Sequence, residues 1–426
     1  MKIITLLIAS YLLLMSSIAS AHTGMQSTFP KNGAVINQVL DAIDLNFSGP
    51  VKLLKLEAKG SDGALLQLGI PTQTEPTKQF KIPLADLKNS TYKVSWTYMG
   101  ADGHKIKGGV SFKYTGGKTS TYGDNDETSE VSSDSISGWV AAIVLNKLLI
   151  YIALAMTVGG LAAMFTVSRY NGRQIPFNKY LPVGCLLGLS AVSLGFFLQV
   201  GSFAEEGMSG MWDADYVKIL WNSGVGKSYK FQLLGWCLVI STIIMMWIKP
   251  VYNHLFAALG LIFVFIIAVS FTLTGHTAEA PIWVRGALAL HVVAAMWWIG
   301  SLYPLRSACN ALGVSNLQSL MVEFGKQAMF LVGLLVIAGG VISYHLEGSF
   351  SNLLNTGHGN LLLLKLGTVA VILSLAAVHK FRYVPKLSSA ESVTTLKRSI
   401  TIEMVIGFII LVITALMSSV TGPAFG

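Results

Sequence analysis

His22 follows Ala19-Ser20-Ala21, and Asp102-Gly103-His104 stands between two runs of alternating apolar residues. A histidine at a chain terminus carries a free α-amine and an imidazole Nδ1 that chelate one metal ion together. Residues 1–21 have the pattern of a secretory signal that would create such a terminus. Lys2 is the positive end, Ile3 to Met15 the apolar stretch, and Ala-Ser-Ala the small-residue cleavage pattern. Asp102 and His104 are two apart, so in extended backbone both side chains leave one face. An amine, two imidazoles and a carboxylate make a compact nitrogen-and-oxygen set. It suits Cu(II), which favours nitrogen-rich square or tetragonal geometry, and zinc accepts it as well. Taken alone, Asp-Gly is a turn signal and His104 an exposed loop residue; the weight of the pattern lies in its coincidence with His22.

A second set of polar groups lies within apolar stretches, where ionisable side chains are costly and mark functional candidates: His276, His291, Lys365, His379 and Glu403. His291 shares a helix face with Ala294, Ala295 and Trp298. The small residues let a neighbouring helix approach, and Trp298 is placed to wall a site. Met296 is about 140° away around the helix. His276 closes the fourth apolar stretch, and His345 and His358 flank the loop between the sixth and seventh. These histidines, with His291, fall on one side of the membrane, as a tentative metal path or as hydrogen-bonded interfacial residues. His254 and His379 fall at the opposite face beside basic loop residues, where an interfacial role is favoured. Met208 and Met211 lie in a loop facing incoming metal.

The elements that must position these residues follow from composition. The chain has 426 residues, 53% hydrophobic and 12% charged, with a mean hydropathy of +0.60. That excludes an ordinary soluble protein. The net charge of +9 sits largely in short loops between apolar segments, where membrane orientation explains it, so nucleic acid is not an expected partner. Cys185, Cys237 and Cys309 all lie in or beside apolar segments, which excludes a disulfide framework or a CxxC site in the exported part. Neither a G-x4-G-K-[ST] loop nor an Asp-Lys-Thr-Gly sequence occurs.

Residues 22–116 alternate at Ile43, Leu45 and Phe47, at Tyr92, Val94, Trp96 and Tyr98, and at Val110, Phe112 and Tyr114, with turn signals between. This is the half-buried strand pattern of a small β-sandwich. Residues 117–136 are polar and acidic, a flexible tether. The remaining 137–426 contain about eight apolar spans: 139–167, 180–203, 231–248, 252–274, 283–305, 325–344, 360–380 and 400–420. Arg169, Arg173, Lys179, Lys249, Arg306, Lys326, Lys380, Arg382, Lys386, Lys397 and Arg398 fall in alternate loops; Glu205, Glu206, Asp213, Asp215, Glu279 and Glu347 fall in the others. The positive-inside rule then sets the first domain and both termini outside.

Residues 22–116 resemble the CopC family of periplasmic copper-binding β-sandwiches. The matching pieces are His22, Thr28 to Ala34, Leu45 to Val51 and Tyr92 to Phe112 with Asp102-Gly103-His104. The resemblance implies an immunoglobulin-like Greek-key sandwich in which His22, Asp102 and His104 bind Cu(II). Residues 51–98 hold no Met, so the Met-rich Cu(I) loop of some relatives is missing, and Phe47-Ser48-Gly49-Pro50 replaces the usual Phe-Ser-Glu-Pro. Residues 139–426 resemble the CopD family of inner-membrane copper-resistance proteins, through Leu290 to Gly300, Gly359 to Leu366 and Leu396 to Glu403. Val378-His379-Lys380 departs from the Asn-Arg that relatives often carry. Together the resemblances imply a multi-pass inner-membrane protein with a periplasmic N-terminal domain. Its expected function is to bind Cu(II), pass copper to or across the membrane and serve copper homeostasis and resistance, without enzymatic activity. Copper, the lipid bilayer and periplasmic copper chaperones are the expected partners. A haem or quinone oxidoreductase and a sensor or storage module without transport are the alternatives.

Overall fold

The computed structural model describes residues 25–61, 63–66, 68, 76–84, 87–100, 105–116, 138–170, 179–204, 207–278, 280–347, 350–355 and 357–420. The signal segment 1–21, His22, Asp102, His104 and the tether 117–136 lie outside them. The chain divides into two compact units, Met1–Asp134 and Ser135–Gly426.

The first unit has six strands: β1 (Met25–Phe29), β2 (Val35–Ile36), β3 (Ala42–Gly60), β4 (Thr77–Pro83), β5 (Ser90–Met99) and β6 (Lys105–Tyr114). β3 belongs to two sheets. Its first half pairs antiparallel with β1 and β4, and its second half pairs antiparallel with β5, beyond which β6 and the parallel β2 continue. The buried side chains of β3 change parity along its length, from Ile43, Leu45, Phe47 and Val51 to Leu56 and Ala58. A bulge at Leu54 in the pairing with β5 makes the change. One strand thereby faces the common core with both halves. Phe47 meets Tyr98 across the sandwich with ring centroids 4.5 Å apart. Tyr92 Oη donates to Lys88 O (2.9 Å) and accepts from Lys88 N (3.0 Å), pinning the entry to β5 in the manner of a tyrosine corner. The turn signal at Pro30 to Gly33 docks on β6: Gly33, at φ +79°, donates from N to Ser111 O (2.7 Å), and Ser111 N donates to Asn32 Oδ1 (2.9 Å).

The second unit holds eight helices long and apolar enough to cross a membrane. They are α1 (Gly138–Phe165), α2 (Tyr180–Ala204), α3 (Gly224–Ile248), α4 (Asn253–Ser270), α5 (Ile282–Ala311), α6 (Val314–Glu347), α7 (Gly357–Val378) and α8 (Ala390–Val420). Most of the helices begin earlier or end later than the apolar runs alone imply, while α4 is shorter than its run of 252–274. α3 starts at its cap Ser223, whose Oγ accepts from Gly226 N, and α6 and α8 extend through the polar residues 314–324 and 390–399. Hydropathy finds the hydrocarbon-depth part of a helix, while backbone hydrogen bonding carries the helix past it.

α1 is central. It packs on α2, α4, α5 and α8, and 67% of its most apolar window is buried against 11% for α6 and α7, which lie at the periphery. Its crossing with α5 has no room for side chains: a Cβ on Gly300 would stand 1.8 Å from Ala155 O, and one on Gly159 2.1 Å from the Gly300 carbonyl. Backbones this close require glycine on both helices. Pro304, inside α5, has no N–H to give the carbonyl four residues back, which is that of Gly300. Tyr180 at the start of α2 supplies the missing donor, Oη to Gly300 O at 3.0 Å, and its ring stacks on Tyr303 at 4.7 Å. At the end of the bundle where α1 begins and α8 finishes, here the proximal end, Lys147 Nζ donates to Ser418 O and the Tyr151 and Ser418 hydroxyls lie 3.2 Å apart. At the distal end Glu323 of α6 accepts from Arg169 (3.1 Å) and Tyr170 (3.0 Å), just beyond α1.

Gly300→Leu is expected to prevent the α1–α5 approach, abolishing a monodisperse peak in size-exclusion chromatography of the detergent-solubilised chain. Gly333→Leu, where a Cβ meets nothing within 4 Å, should leave the peak intact. Tyr180→Phe orphans a carbonyl within the bilayer and should lower stability by about 1–3 kcal/mol, read as a reduced thermal midpoint in the same detergent.

Candidate metal centre and membrane path

His22, Asp102 and His104 lie outside the described residues, but the strands that lead to them are described. β1 begins at Met25, three residues after His22, and Met25 pairs with Phe47. Phe47 touches Tyr98, the neighbour of Met99. Met99 and Lys105 form the last pair of the β5–β6 hairpin, and the Asp-Gly-His sequence is the connection between them. The start of β1 and the connection end of this hairpin thus belong to the same end of the sandwich. Around it Trp96 lies over Gly108, where a Cβ would stand 2.6 Å from the indole Nε1, and Tyr98 and Met99 are buried. The strand residues that lead into the connection are therefore packed against the core.

In the membrane unit, His276 lies in a 3₁₀ turn, Gly275–Thr277, after α4. His291 lies in the proximal half of α5, His345 near the end of α6, and His358 in the first turn of α7. All four sit on the proximal side of the bundle. His291 is directed at α6: its Nδ1 is 3.2 Å from Leu335 O, and its ring lies where Gly339 leaves space, 3.2 Å from the position of a Cβ. With Nδ1 donating to a backbone carbonyl, Nε2 keeps its lone pair, the arrangement in which an imidazole ligates a metal. His345 lies 6.2 Å from the Trp283 ring, and His358 is buried. Among the described residues, no three His, Cys, Asp or Glu side chains stand close enough to hold one ion.

Several expected neighbours are placed differently. Trp298 belongs to the apolar cluster with Leu302, Leu317 and Ile400, so it fills the core rather than walling His291. Met211 is buried against α2 beside Gly201, whereas Met208 is exposed. Met296 is in the core, and His254 packs on Phe165 at 5.6 Å. His379 does not face the basic loop. It turns inward to Ser399 (2.5 Å) and Glu403 (3.2 Å) on α8. Sequence spacing on each helix singles out His379 and Glu403 separately, but nothing in it joins residues 24 apart on two helices.

Comparison with known proteins bears on both units. A family model for the CopC domain matches residues 25–115, and one for copper resistance protein D, CopD, matches residues 318–417. The copper transport protein CutJ of Bacillus subtilis (strain 168) is 24% identical over 355 residues, 79% of this chain and 62% of CutJ, so the match spans less than two thirds of that relative's length. Protein YobA of Escherichia coli (strain K12) is 34% identical over 96 residues, 22% of this chain and 77% of YobA. The crystal structure of CopC from Methylosinus trichosporium OB3b aligns over 24% of this chain and 100% of its own, at 19% identity and a TM-score of 0.21. With a CopC domain and a CopD region on one chain, the protein belongs to the fused CopC–CopD family of copper resistance and copper transport proteins.

Proposed function

We propose that the β-sandwich captures Cu(II) in the periplasm through the His22 amine and imidazole, Asp102 and His104, and that the membrane unit carries copper inward across the inner membrane. His276, His291, His345 and His358 are the proposed contacts on the side where copper arrives. Copper is the cargo, and no covalent chemistry is done on it.

The observation that carries this reading is the shared end of the sandwich reached by β1 and the β5–β6 hairpin, through Met25, Phe47, Tyr98 and Met99. Three residues of extended chain reach about 10 Å, enough for a terminus at His22 to meet the hairpin connection. The ligand types then match a Cu(II) site. The membrane step is supported by His291, whose Nδ1 contact with Leu335 O leaves Nε2 with its lone pair. An export signal at 1–21 and basic residues in alternate loops support the inner-membrane setting with the sandwich outside.

Adding one residue before His22 removes the amine–imidazole chelate and should weaken Cu(II) binding by the isolated sandwich at least 100-fold, about 3 kcal/mol, measured by competition titration. Undiminished affinity rules the chelate out. In cells, His291→Ala at equal expression should reduce copper accumulation toward that of cells lacking the protein. If wild type and variant accumulate the same copper, the transport reading fails.

A further inference from the structure

Glu403 is 3% exposed in an apolar helix. Its Oε1 is sealed from solvent and makes no hydrogen bond of ordinary geometry; the group it faces is His379 Nδ1, at 3.2 Å. On the other side of the ring, His379 Nε2 is 2.5 Å from Ser399 Oγ, and Ser399 is buried. Ser399 and Glu403 are one turn apart on α8, so both address the same imidazole. His379 opens a π-helical turn, His379–Tyr383, in which Val384 N donates to His379 O. A turn of this kind adds a residue to the helix, re-aims its side chain and recurs at functional positions.

An imidazole lone pair and a carboxylate oxygen repel at this distance in an apolar span, so a proton must lie between them. With that proton on Nδ1 alone, Nε2 accepts from the Ser399 hydroxyl and the buried pair carries one negative charge. A second proton, on Nε2, makes an imidazolium beside a carboxylate. The pair becomes neutral overall, and Ser399 changes from donor to acceptor. Desolvation penalises the charged arrangement, so the site gains by binding a proton and changes a helix–helix hydrogen bond when it does.

The surrounding charges are engaged elsewhere. Arg306 of α5 donates to Thr401 Oγ1 (2.9 Å), and Lys397 donates to Asn310 Oδ1 (2.8 Å). Lys380 is directed at Met329 of α6, and Glu323 of α6 is paired with Arg169. From α1, Lys147 and Tyr151 meet α8 at Ser418, near its other end. The Tyr383 ring lies 5.8 Å from His379, and Arg382 and Arg398 lie on the two segments themselves. The row Ser399–His379–Glu403 has the order of a nucleophile, its base and a carboxylate. However, Ser399 is 6% exposed, and the two clefts lined by Trp297 and Phe330 and by Tyr170 and Gln318 do not include it. A substrate cannot reach the hydroxyl, while a proton can be handed along it.

We propose that His379, Glu403 and Ser399 form a proton-binding site in the distal half of the membrane unit. Resting on the transport reading above, the proton it takes up and releases is exchanged against copper. The site lies away from the proximal histidines, so proton and metal have separate places on the same bundle.

Two measurements on the full chain in liposomes test the site and the coupling apart. Infrared difference spectra across about pH 5 to 8 need no copper. The wild type should show a titrating imidazole band linked to a carboxyl band; Glu403→Gln should remove the carboxyl band and shift the imidazole, and Ser399→Ala should keep the carboxyl band and shift the imidazole alone. Identical spectra from wild type and Glu403→Gln overturn the proton site. The second measurement is entry of copper, supplied as Cu(I) with ascorbate and separately as Cu(II), under imposed pH gradients. Charge-balanced exchange, one proton per Cu(I) or two per Cu(II), should change the final copper ratio about tenfold or about a hundredfold per pH unit of gradient, and Glu403→Gln should make that ratio independent of the gradient. Gradient-dependent accumulation by Glu403→Gln, or gradient-independent accumulation by wild type, overturns the coupling. No copper entry by wild type under any gradient overturns the transport reading, and the infrared spectra still decide the proton site.

Discussion

A carbonyl that loses its partner inside a bilayer has no water to turn to. Pro304 creates such a carbonyl at Gly300, at the point where α5 runs backbone to backbone against α1. The tyrosine that satisfies it comes from a third helix, α2. One proline, two glycines and one hydroxyl therefore lock α1, α2 and α5 together at a single place. From there α5 carries its polar residues in fixed directions: His291 toward the backbone of α6 and Arg306 toward Thr401 of α8. The same crossing that cannot spare a methyl group sets the aim of residues several turns away.

The polar groups of the membrane unit fall into two sets, and their chemistry differs. The proximal set is histidine-rich. The distal set pairs a histidine with a carboxylate in an apolar helix interface, a combination that stores charge. In the sandwich the comparable economy lies in β3, which serves both sheets by means of the bulge at Leu54. Because the strand switches face at that point, apolar residues of odd and then even number reach one core, and the edge that carries the hairpin is braced from both sides.

Much of this architecture was legible in the sequence. The alternation of β3, β5 and β6 and the eight apolar spans all correspond to elements of the structure, because burial on one face of a sheet or within a bilayer leaves a periodic or continuous apolar trace. The pieces that carry the family resemblance were equally visible. What could not be read was pairing at a distance. β4 is short and its alternation, Phe80 and Ile82, is brief, so its place beside β3 comes only from the sheet. The 3.6-residue period gave Trp298 the same face as His291, yet the helix is packed on several sides and Trp298 fills the core with Ile400. His379 read as interfacial because basic residues follow it in the chain; the π-helical turn that re-aims it at Glu403 leaves no signal in residue types.

The Lys147 and Tyr151 contacts with Ser418 join the first long helix of the membrane unit to the last. The start of α1 at Gly138 and that of α8 at Ala390 are 252 residues apart, roughly 13 to 50 s of synthesis at ordinary rates of chain growth. Throughout that interval Lys147, half-buried in the finished bundle, must wait in the membrane without the carbonyl it will donate to. The nascent protein therefore depends on whatever shelters α1 at the point of insertion, and the central helix gains its last neighbour only when α8 arrives.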